Sequence, residues 1–450
     1  MKRTPLMMGL EDQQIEVSED LPEFDDADLE SDPNDTFDGF DLVSNIAGLQ
    51  SDLRDSHDLV AAATSLDQLE DYRENLMEKD EVSDDDMNNY QSMAEMAVGG
   101  NDPVEVGFMP VTENYGSNKM ALEAIGARNA VALESIYEHI KNVNASIQKR
   151  LRRISYYFKF QRNKLLSLKK DLDKADFPSE GISIDLKVTN ELKYGDHNEC
   201  KSIEEYSKQF SLFVDFTNRI TKDFIAYNEE LNDKFKESMK IFFKSSSKKE
   251  DERLIADMVV DFNKSVLKFP TMHKVPSPGS DRYWEVFTSQ TFIGGIYIEY
   301  RTGLNNISLS DEDNLSKIQS AVSRTTLTTK VKVNEGESNK KHVVHLDHIS
   351  KAEVHRLLDT FIEFWSNQSK HGDNLAVMTE QWTMSMPKSE NGKADIIDII
   401  RELRNVYNAS LAINNHMRSE IINCAVGFWQ KANLQISNGN RMVKKIIWSA

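Results

Sequence analysis

Four histidines stand close together in the sequence, and histidine is a common ligand for transition metals. They are His342, His345, His348 and His355, with Asp347 among them. A metal site needs two or more ligands that converge on one point. His342 and His345 point to opposite faces of a strand because their spacing is odd. A solvent-facing strand is therefore favoured, and a metal site is the alternative.

No other motif of a known catalytic or cofactor site occurs in the chain. The phosphate-binding loop GxxxxGK[ST], the dinucleotide fingerprint GxGxxG, the zinc motif HExxH and the serine motif GxSxG are all absent. Asp395, Asp398 and Glu402 share one helical face, as acidic residues on many solvated helices do. The sequence therefore predicts a protein that is not an enzyme and that uses no cofactor and no metal.

The strongest local positive charge lies in residues 149–174, which contain ten basic and two acidic side chains. Tyr156, Tyr157, Phe158 and Phe160 are interleaved with them. Clustered lysine and arginine attract a phosphate backbone without reading the base sequence. The alternative is the solvated outer face of a long helix. The candidate phosphate contacts are Lys149, Arg150, Arg152, Arg153, Lys159, Arg162 and Lys164.

Charge is unevenly distributed along the 450 residues. The whole chain has a formal charge of −20, with 39% apolar and 28% charged residues. Residues 1–123 contain 32 acidic and 6 basic side chains, so they carry −26 and the remainder carries +6. Blocks of like charge repel and stay extended. Residues 1–123 are therefore expected to be a largely disordered acidic arm, with short amphipathic helices only in residues 42–78.

Composition excludes several classes of protein. No stretch of about 18 apolar residues is present, so no transmembrane helix and no membrane partner are expected. The first ten residues lack the apolar centre of a secretory signal. Cys200 and Cys424 are far apart in the sequence, so reduced thiols are favoured over a disulfide.

Two Ala-Leu-Glu triplets, residues 121–123 and 132–134, lie where the acidic arm gives way to the body. A protease that reads a small residue and then glutamate two positions later needs an exposed, unfolded segment. Such a protease would cut after Glu123 or Glu134. The new N-terminus would then be Ala124 or Ser135.

Apolar residues at steps of three and four predict long helices in the body. The first runs from 119 to 176 and ends before Pro178, the second covers 201–244, and the third covers 250–268. The first two each have one apolar face and are joined by about 24 residues. They are expected to pack as an antiparallel hairpin.

Residues 270–348 have a different pattern. Residues 291–300, 325–333 and 342–346 are rich in β-branched and aromatic side chains. A hairpin-like loop separates the last two runs, so a small antiparallel sheet is expected. Two further helices are then predicted, from Ser350 to about Asn367 and over about 395–432.

The predicted fold is therefore mainly α. It consists of a long helical hairpin or bundle with a small antiparallel β insertion, preceded by the disordered acidic arm. The expected divisions are the arm at 1–123, the long helices at 124–268, the β-rich insertion at 269–348 and C-terminal helices at 349–450 that return to the bundle.

The acidic arm, the Ala-Leu-Glu boundary at 121–123 and the long helical body resemble the internal head proteins of phiKZ-like giant tailed phages. Residues 119–176 and 276–301 (PSPGSDRYWEVFTSQTFIGGIYIEYR) carry the resemblance best. It implies that a prohead protease removes an N-terminal propeptide by cutting after Glu123 or Glu134, in Ser/Ala/Gly-x-Glu motifs. It also implies a place inside the capsid, after assembly in the host cytoplasm. The implied partners are the prohead protease, other head proteins and packaged double-stranded DNA.

Charge gives this resemblance a physical hypothesis. An attached arm would repel DNA phosphates, whereas its removal would leave a body at +6 with residues 149–174 uncovered. Two other functions stay open. One is an effector or enzyme that is ejected into the host and uses His345 or His348. The other is an adaptor whose permanent acidic arm binds basic partners.

Overall fold

The computed structural model describes residues 39–98, 117–188, 192–195, 198–242, 272–276, 284–304, 314–332, 342–385 and 394–450. The fold is mainly α with a small antiparallel β part, as the sequence predicted. The chain divides into two compact units. The first comprises Met1–Val43 and Gln68–Ser135, and the second comprises Ser44–Asp67 and Ile136–Ala450.

Long helices dominate the described residues, and short strands are inserted between them. The helices are α1 (Gly39–Met77), α2 (Asp84–Val98), α3 (Asn118–Lys174), α4 (Ile203–Phe242), α5 (Asn314–Val322), α6 (Lys351–Ser385) and α7 (Ala394–Ser449). The strands are β1 (Ile182–Val188), β2 (Lys193–Tyr194), β3 (Asn198–Glu199), β4 (His273–Val275), β5 (Glu285–Thr288), β6 (Ile296–Thr302), β7 (Thr326–Val331) and β8 (His342–Ile349).

The first unit is a small helical body formed by the C-terminal part of α1, by α2 and by the first turns of α3. Its polar centre is Glu70, whose carboxylate accepts a hydrogen bond from Asn129 Nδ2 at 2.8 Å and pairs with Arg73 at 2.5 Å. These charges are neutralised and hydrogen-bonded, as partly buried charges must be. The apolar core around them is Leu69, Leu76, Val82, Met87, Tyr90, Ala121, Leu122 and Ile125.

The N-terminal region contains far more helix than its charge predicted. Residues 39–98 form α1 and α2, so the expectation of a largely disordered arm over 1–123 is wrong for this part. The side chains of Ile46, Leu49 and Leu53 on α1 are buried, whereas Asp55 is exposed. Burial of this apolar stripe stabilises the helix by more than the repulsion between its acidic side chains destabilises it, because those side chains stay in water. Residues 1–38 and 99–116 of the arm lie outside the described residues.

The second unit is a helical bundle with a shared aromatic core. Helix α3 runs antiparallel to α6, because Gln148 bonds to Glu380 and Ser155 bonds to Ser369. Helix α4 runs parallel to α6, with which it shares ring contacts. The buried rings of this core are Phe158, Phe210, Phe213, Phe361, Phe364, Trp365, Phe428 and Trp429.

Helix α4 does not form the predicted hairpin with α3. Its main contacts are with α6 and α7. The apolar face of α3 is covered by the same two helices, since Phe158 packs on Trp365 and Trp429. The connection between α3 and α4 contains β1, β2 and β3 and is therefore not a simple turn. The third helix, predicted over 250–268, lies outside the described residues.

The β part also differs from the prediction. Strand β8 pairs with β1, with Leu346 opposite Ile184 and Ile349 opposite Ile182. Strand β7 pairs with β6, in a four-stranded sheet of order β4-β5-β6-β7. The predicted hairpin between residues 325–333 and 342–346 is therefore wrong. Period-two patterns identify a strand and its buried face, but they do not name the partner strand.

The C-terminal helices are longer than predicted, and two helical glycines are part of the packing. Helix α6 continues to Ser385 and α7 continues to Ser449. A Cβ atom at Gly439 would lie 2.5 Å from the Phe361 ring, and one at Gly372 would lie 3.3 Å from Cβ of Ser155. These glycines allow close approach of helices, so packing overrides their low helix propensity.

Both thiols are expected to be unreactive in the folded protein. Cys200 and Cys424 are free and buried. Burial raises the pKa of Cys200 to about 12 and raises the pKa of Cys424 as well, so neither forms the reactive thiolate near neutral pH. A chromogenic thiol reagent should titrate no thiol in native buffer and two in denaturant. Rapid labelling of either residue in native buffer would contradict this prediction.

Candidate nucleic-acid interface

The basic segment lies in α3, a continuous helix of 57 residues. Ile147, Leu151, Ile154 and Leu165 on this helix are buried at helical spacing. The opposite face therefore points outward from the second unit. Since the helix is continuous from Asn118 to Lys174, the spacing of its basic residues is fixed by helix geometry.

Three of the seven candidate phosphate contacts form ion pairs within the second unit. Arg150 Nε lies 2.6 Å from the carboxylate of Asp52 on α1. Two carboxylates on α6 hold the other two cations. Glu380 pairs with Arg152 at 3.4 Å, and Asp373 pairs with Lys159 at 3.8 Å. The Arg150 pair is the most shielded from solvent, so this residue is held by α1 and is not a free phosphate contact.

Three other candidates form what we call the outer stripe, namely Lys149, Arg153 and Lys164 together with the rings of Tyr156 and Phe160. Steps of four, three, four and four residues place all five on one face of α3. The three cations are exposed and form no ion pair with a described carboxylate. The stripe is about 22 Å long at 1.5 Å per residue. Lys164 Nζ lies 4.2 Å from the centre of the Phe160 ring.

The remaining candidate and two of the interleaved rings lie elsewhere. Arg162 is exposed but lies roughly 160° around the helix from the outer stripe, at 100° per residue. Tyr157 and Phe158 are buried, and Tyr157 OH donates to Asn433 Oδ1 at 3.3 Å. The sequence therefore identified the basic helix, but only helix contacts separate its outer stripe from its structural residues.

The predicted cleavage sites lie inside the first part of α3. Glu123 is exposed and Glu134 is half-buried, while the leucine before each of them is buried. Ala124 and Ser135, the residues that a cut would expose, are also helical. A protease that binds an extended segment must unfold several turns here. The expectation of an unfolded segment at the Ala-Leu-Glu boundary is therefore wrong.

The histidine cluster forms separate pairs with acidic groups. His342 Nε2 lies 2.6 Å from Glu199 on β3. His345 Nδ1 and Nε2 lie 2.6 and 2.7 Å from Asp185 and Asp347. His348 adopts a left-handed φ of 53° and contacts the backbone carbonyl of residue 180. His355 pairs with the carboxylate of Asp173 on α3 at 3.1 Å.

His345 is expected to titrate above the usual range for histidine. Its hydrogen bond to Asp185 is the main cause of the raised pKa, and the charge of Asp347 adds to it. The Asp185→Asn variant should lower the pKa of His345, as measured by NMR titration of its ring protons. The matched Asp347→Asn variant should lower it too. Unchanged titration in both variants would contradict the geometry.

Helix α7 buries several ionisable groups that sequence reasoning missed. Arg418 and His416 are buried on it, and burial lowers the pKa of both. Burial also raises the pKa of Glu420 to about 7. On α6, burial lowers the pKa of His371 to about 4. No local signal marks these residues, because a polar residue on a helix ordinarily faces water.

The described residues contain neither a metal-binding cluster nor a membrane-spanning helix, and the chain matches no known protein in three comparisons. Within the described ranges, no group of three His, Cys, Asp or Glu side chains is arranged to hold a metal ion. No helix among these residues has the length and apolarity that crossing a bilayer requires. Comparisons with protein-family models, with curated proteins and with solved structures found no match.

Proposed function

We propose that this protein is a non-enzymatic internal head protein of a giant tailed phage, which contacts packaged double-stranded DNA through the outer stripe of α3. The resemblance of residues 119–176 and 276–301 supports the class of protein. The outer stripe supports the contact with DNA. Its cations are exposed and lie on one face of the helix, where they can follow a phosphate backbone.

The observation that carries the proposal is the separation of charges on α3. Arg150 is neutralised by Asp52, whereas Lys149, Arg153 and Lys164 face solvent without a described carboxylate partner. Lysine and arginine that point outward from one helix bind phosphates through charge and release counterions. Such binding is independent of base sequence, which suits a protein packed against a whole genome.

Proteolytic maturation is the second part of the proposal. The acidic N-terminal residues oppose DNA binding, and their removal after Glu123 or Glu134 would leave a basic body. Because both sites lie in α3, cutting requires local unfolding of the first unit or takes place before this unit folds. The N-terminus of the protein from purified virions, read by terminal-peptide mass spectrometry, tests this. A start at Ala124 or Ser135 supports maturation, and the absence of both starts, with Met1 as the only N-terminus, contradicts it.

DNA binding should depend on the outer stripe and on salt. Filter binding of the full-length protein to duplex DNA is expected to weaken with a log–log slope of about −3, because about three phosphates are neutralised. The Lys149→Ala, Arg153→Ala, Lys164→Ala variant should lose about tenfold or more in affinity at low salt. Its log–log slope should approach zero.

A matched control removes the same charge elsewhere in the second unit. Lys208, Lys222 and Arg441 are also exposed, and their triple alanine variant should keep most of the affinity. Equal losses in the two variants would show that net charge alone governs binding. That outcome would overturn the proposed contact, and so would the absence of DNA binding at low salt by the protein cut after Glu123 as well as by the full-length chain.

A further inference from the structure

Arg418 is a fully buried cation whose hydrogen-bond partners are neutral. Its Nη2 donates to Asn415 Oδ1 at 2.7 Å and to Ser56 Oγ at 3.3 Å. Its Cζ lies 4.1 Å from the centre of the Trp382 ring. No described carboxylate pairs with it, and its side chain has no exposed surface. A buried guanidinium without a counter-ion is costly.

Arg418 belongs to a polar layer that crosses the bundle of the second unit. Helix α1 contributes Ser56, and helix α6 contributes Trp382. The antiparallel pairing of Ser146 with Asp52 places Asn144 of α3 at the level of Ser56. Asn144 is buried between apolar residues of its helix, as Ser56 is on α1. Polar residues from α1, α3 and α7 therefore lie at about the same height, where the Trp382 ring of α6 covers the guanidinium.

Hydrogen-bonding groups of this layer lack partners from the protein. They are Nε and Nη1 of Arg418 and both amide atoms of Asn144, and the hydroxyl of Ser419, the next residue of α7, lacks one as well. Donors outnumber acceptors among these atoms, and the only formal charge is positive. Buried polar groups are ordinarily satisfied, so this set has the chemistry of a site for an acceptor with negative charge.

The nearest acidic residue in the sequence cannot supply that charge. Glu420 is two residues from Arg418 on α7, which places it on a different face of the helix. Its carboxylate accepts the backbone N–H of Leu327 on β7 at 2.8 Å. On α4, Glu229 and Asp233 are exposed and therefore do not enter the buried layer.

We propose that the polar layer binds a small inorganic anion of the size of chloride, held by Arg418 with Asn144 as a second ligand. The anion would neutralise the guanidinium and accept its remaining N–H donors. A halide fits the densely packed interior of a bundle better than a phosphate or a carboxylate. The site lies among α1, α3, α6 and α7, and it is independent of the proposed DNA contact.

The test is the melting temperature of the full-length protein at constant ionic strength, with sodium gluconate replaced stepwise by sodium chloride. A saturable rise of about 3 °C is expected, because the anion binds only the folded state. The Arg418→Met variant should lose this rise. The Arg441→Met variant, which removes an exposed arginine from the same helix, should keep it.

A second variant tests the proposed chloride site if Arg418→Met does not fold. Asn144→Leu retains the guanidinium and should raise the chloride concentration at half-effect about tenfold, the value of one hydrogen bond to an anion. An unchanged midpoint in this variant would overturn the site. So would the absence of a chloride effect on the unaltered protein, since buried water would then satisfy the layer.

Discussion

An N-terminal fragment that contains α1 and α2 is expected to stay bound to the rest of the protein after the chain is cut. The middle of α1, Ser44–Asp67, belongs to the second unit. Its side chains Ile46, Leu49, Leu53 and Val60 are buried. Burial of each such side chain stabilises the association by about 1.5–3 kcal/mol. The fragment is therefore expected to stay bound without the peptide bond that joins it to the rest of the chain.

Polar contacts add specificity to this association. Asp52 accepts hydrogen bonds from Ser146 at 2.7 Å and from Arg150 at 2.6 Å. Ser56 donates to Asn415 Oδ1 at 3.0 Å on α7. Release of the fragment would leave Arg150 and Asn415 without these partners, which disfavours release.

The measurement uses the whole chain with the recognition sequence of a site-specific protease placed between α2 and α3. After complete cutting, the two fragments should co-elute in size-exclusion chromatography and separate only in denaturant. The Leu53→Asp variant puts a charge at a buried position and should release the fragment. The exposed Asp55→Asn variant should not. Separate elution of the unaltered fragments in native buffer would contradict the prediction.

This result bears directly on the charge reversal that we propose. If the fragment stays bound after cutting, its acidic residues remain with the body and the net charge of the complex is still −20. Affinity for duplex DNA should then be the same before and after the cut. Maturation would require further degradation of the bound α1, and not a single cleavage. An immediate rise in DNA affinity on cutting would indicate that the arm leaves by itself.

The sequence predicted the features of this fold that are local. The apolar stripe of α3 and the alternation of exposed Lys149, Arg153 and Lys164 with Tyr156 and Phe160 are both periodic in the sequence. Periodicity therefore identifies the helix and its solvent face. It also identified the helical pattern in residues 42–78, although the acidic charge led to an expectation of disorder.

The contacts that escaped prediction join residues far apart in the chain. Asp52 and Arg150 are 98 residues apart, and Asp185 and His345 are 160 apart. The sequence around each of these residues does not indicate its partner, because each one has the pattern of an ordinary exposed polar residue. Arg418 escaped for a related reason. Helix α7 is covered on several sides, so its polar residues are buried by neighbours that only the tertiary fold brings together.

The stability of the protein is expected to fall by about 3 kcal/mol between pH 4.5 and pH 7 through Glu420 alone. Burial raises the pKa of this carboxyl to about 7, from an ordinary value of 4.5. The folded protein then keeps a proton that the unfolded chain releases. The stabilisation is complete below pH 4.5 and is lost as the pH rises through 7, where the folded state must bury a charge.

Glu420 has a structural role that explains why a partly buried acid is present. Its carboxylate accepts the backbone N–H of Leu327 on β7, and Thr329 Oγ1 of the same strand donates to the carbonyl of Cys424. Helix α7 thus covers the edge of the four-stranded sheet, whose N–H groups would otherwise be unsatisfied. The Glu420→Gln variant retains the acceptor and removes the titration.

Urea unfolding from pH 4.5 to pH 8.5 measures the effect. The difference in unfolding free energy between Glu420→Gln and the unaltered protein should increase by about 3 kcal/mol in favour of the variant as the pH rises. The exposed Glu363→Gln variant on α6 is the matched control and should show no such trend. Burial lowers the pKa of His371, so this histidine lowers the free energy of unfolding as the pH falls below 6.5. The effect is the same in all three proteins and therefore cancels when their unfolding free energies are subtracted. A pH-independent difference for Glu420→Gln would show that this carboxyl is solvated, and that α7 does not seal the edge of the sheet.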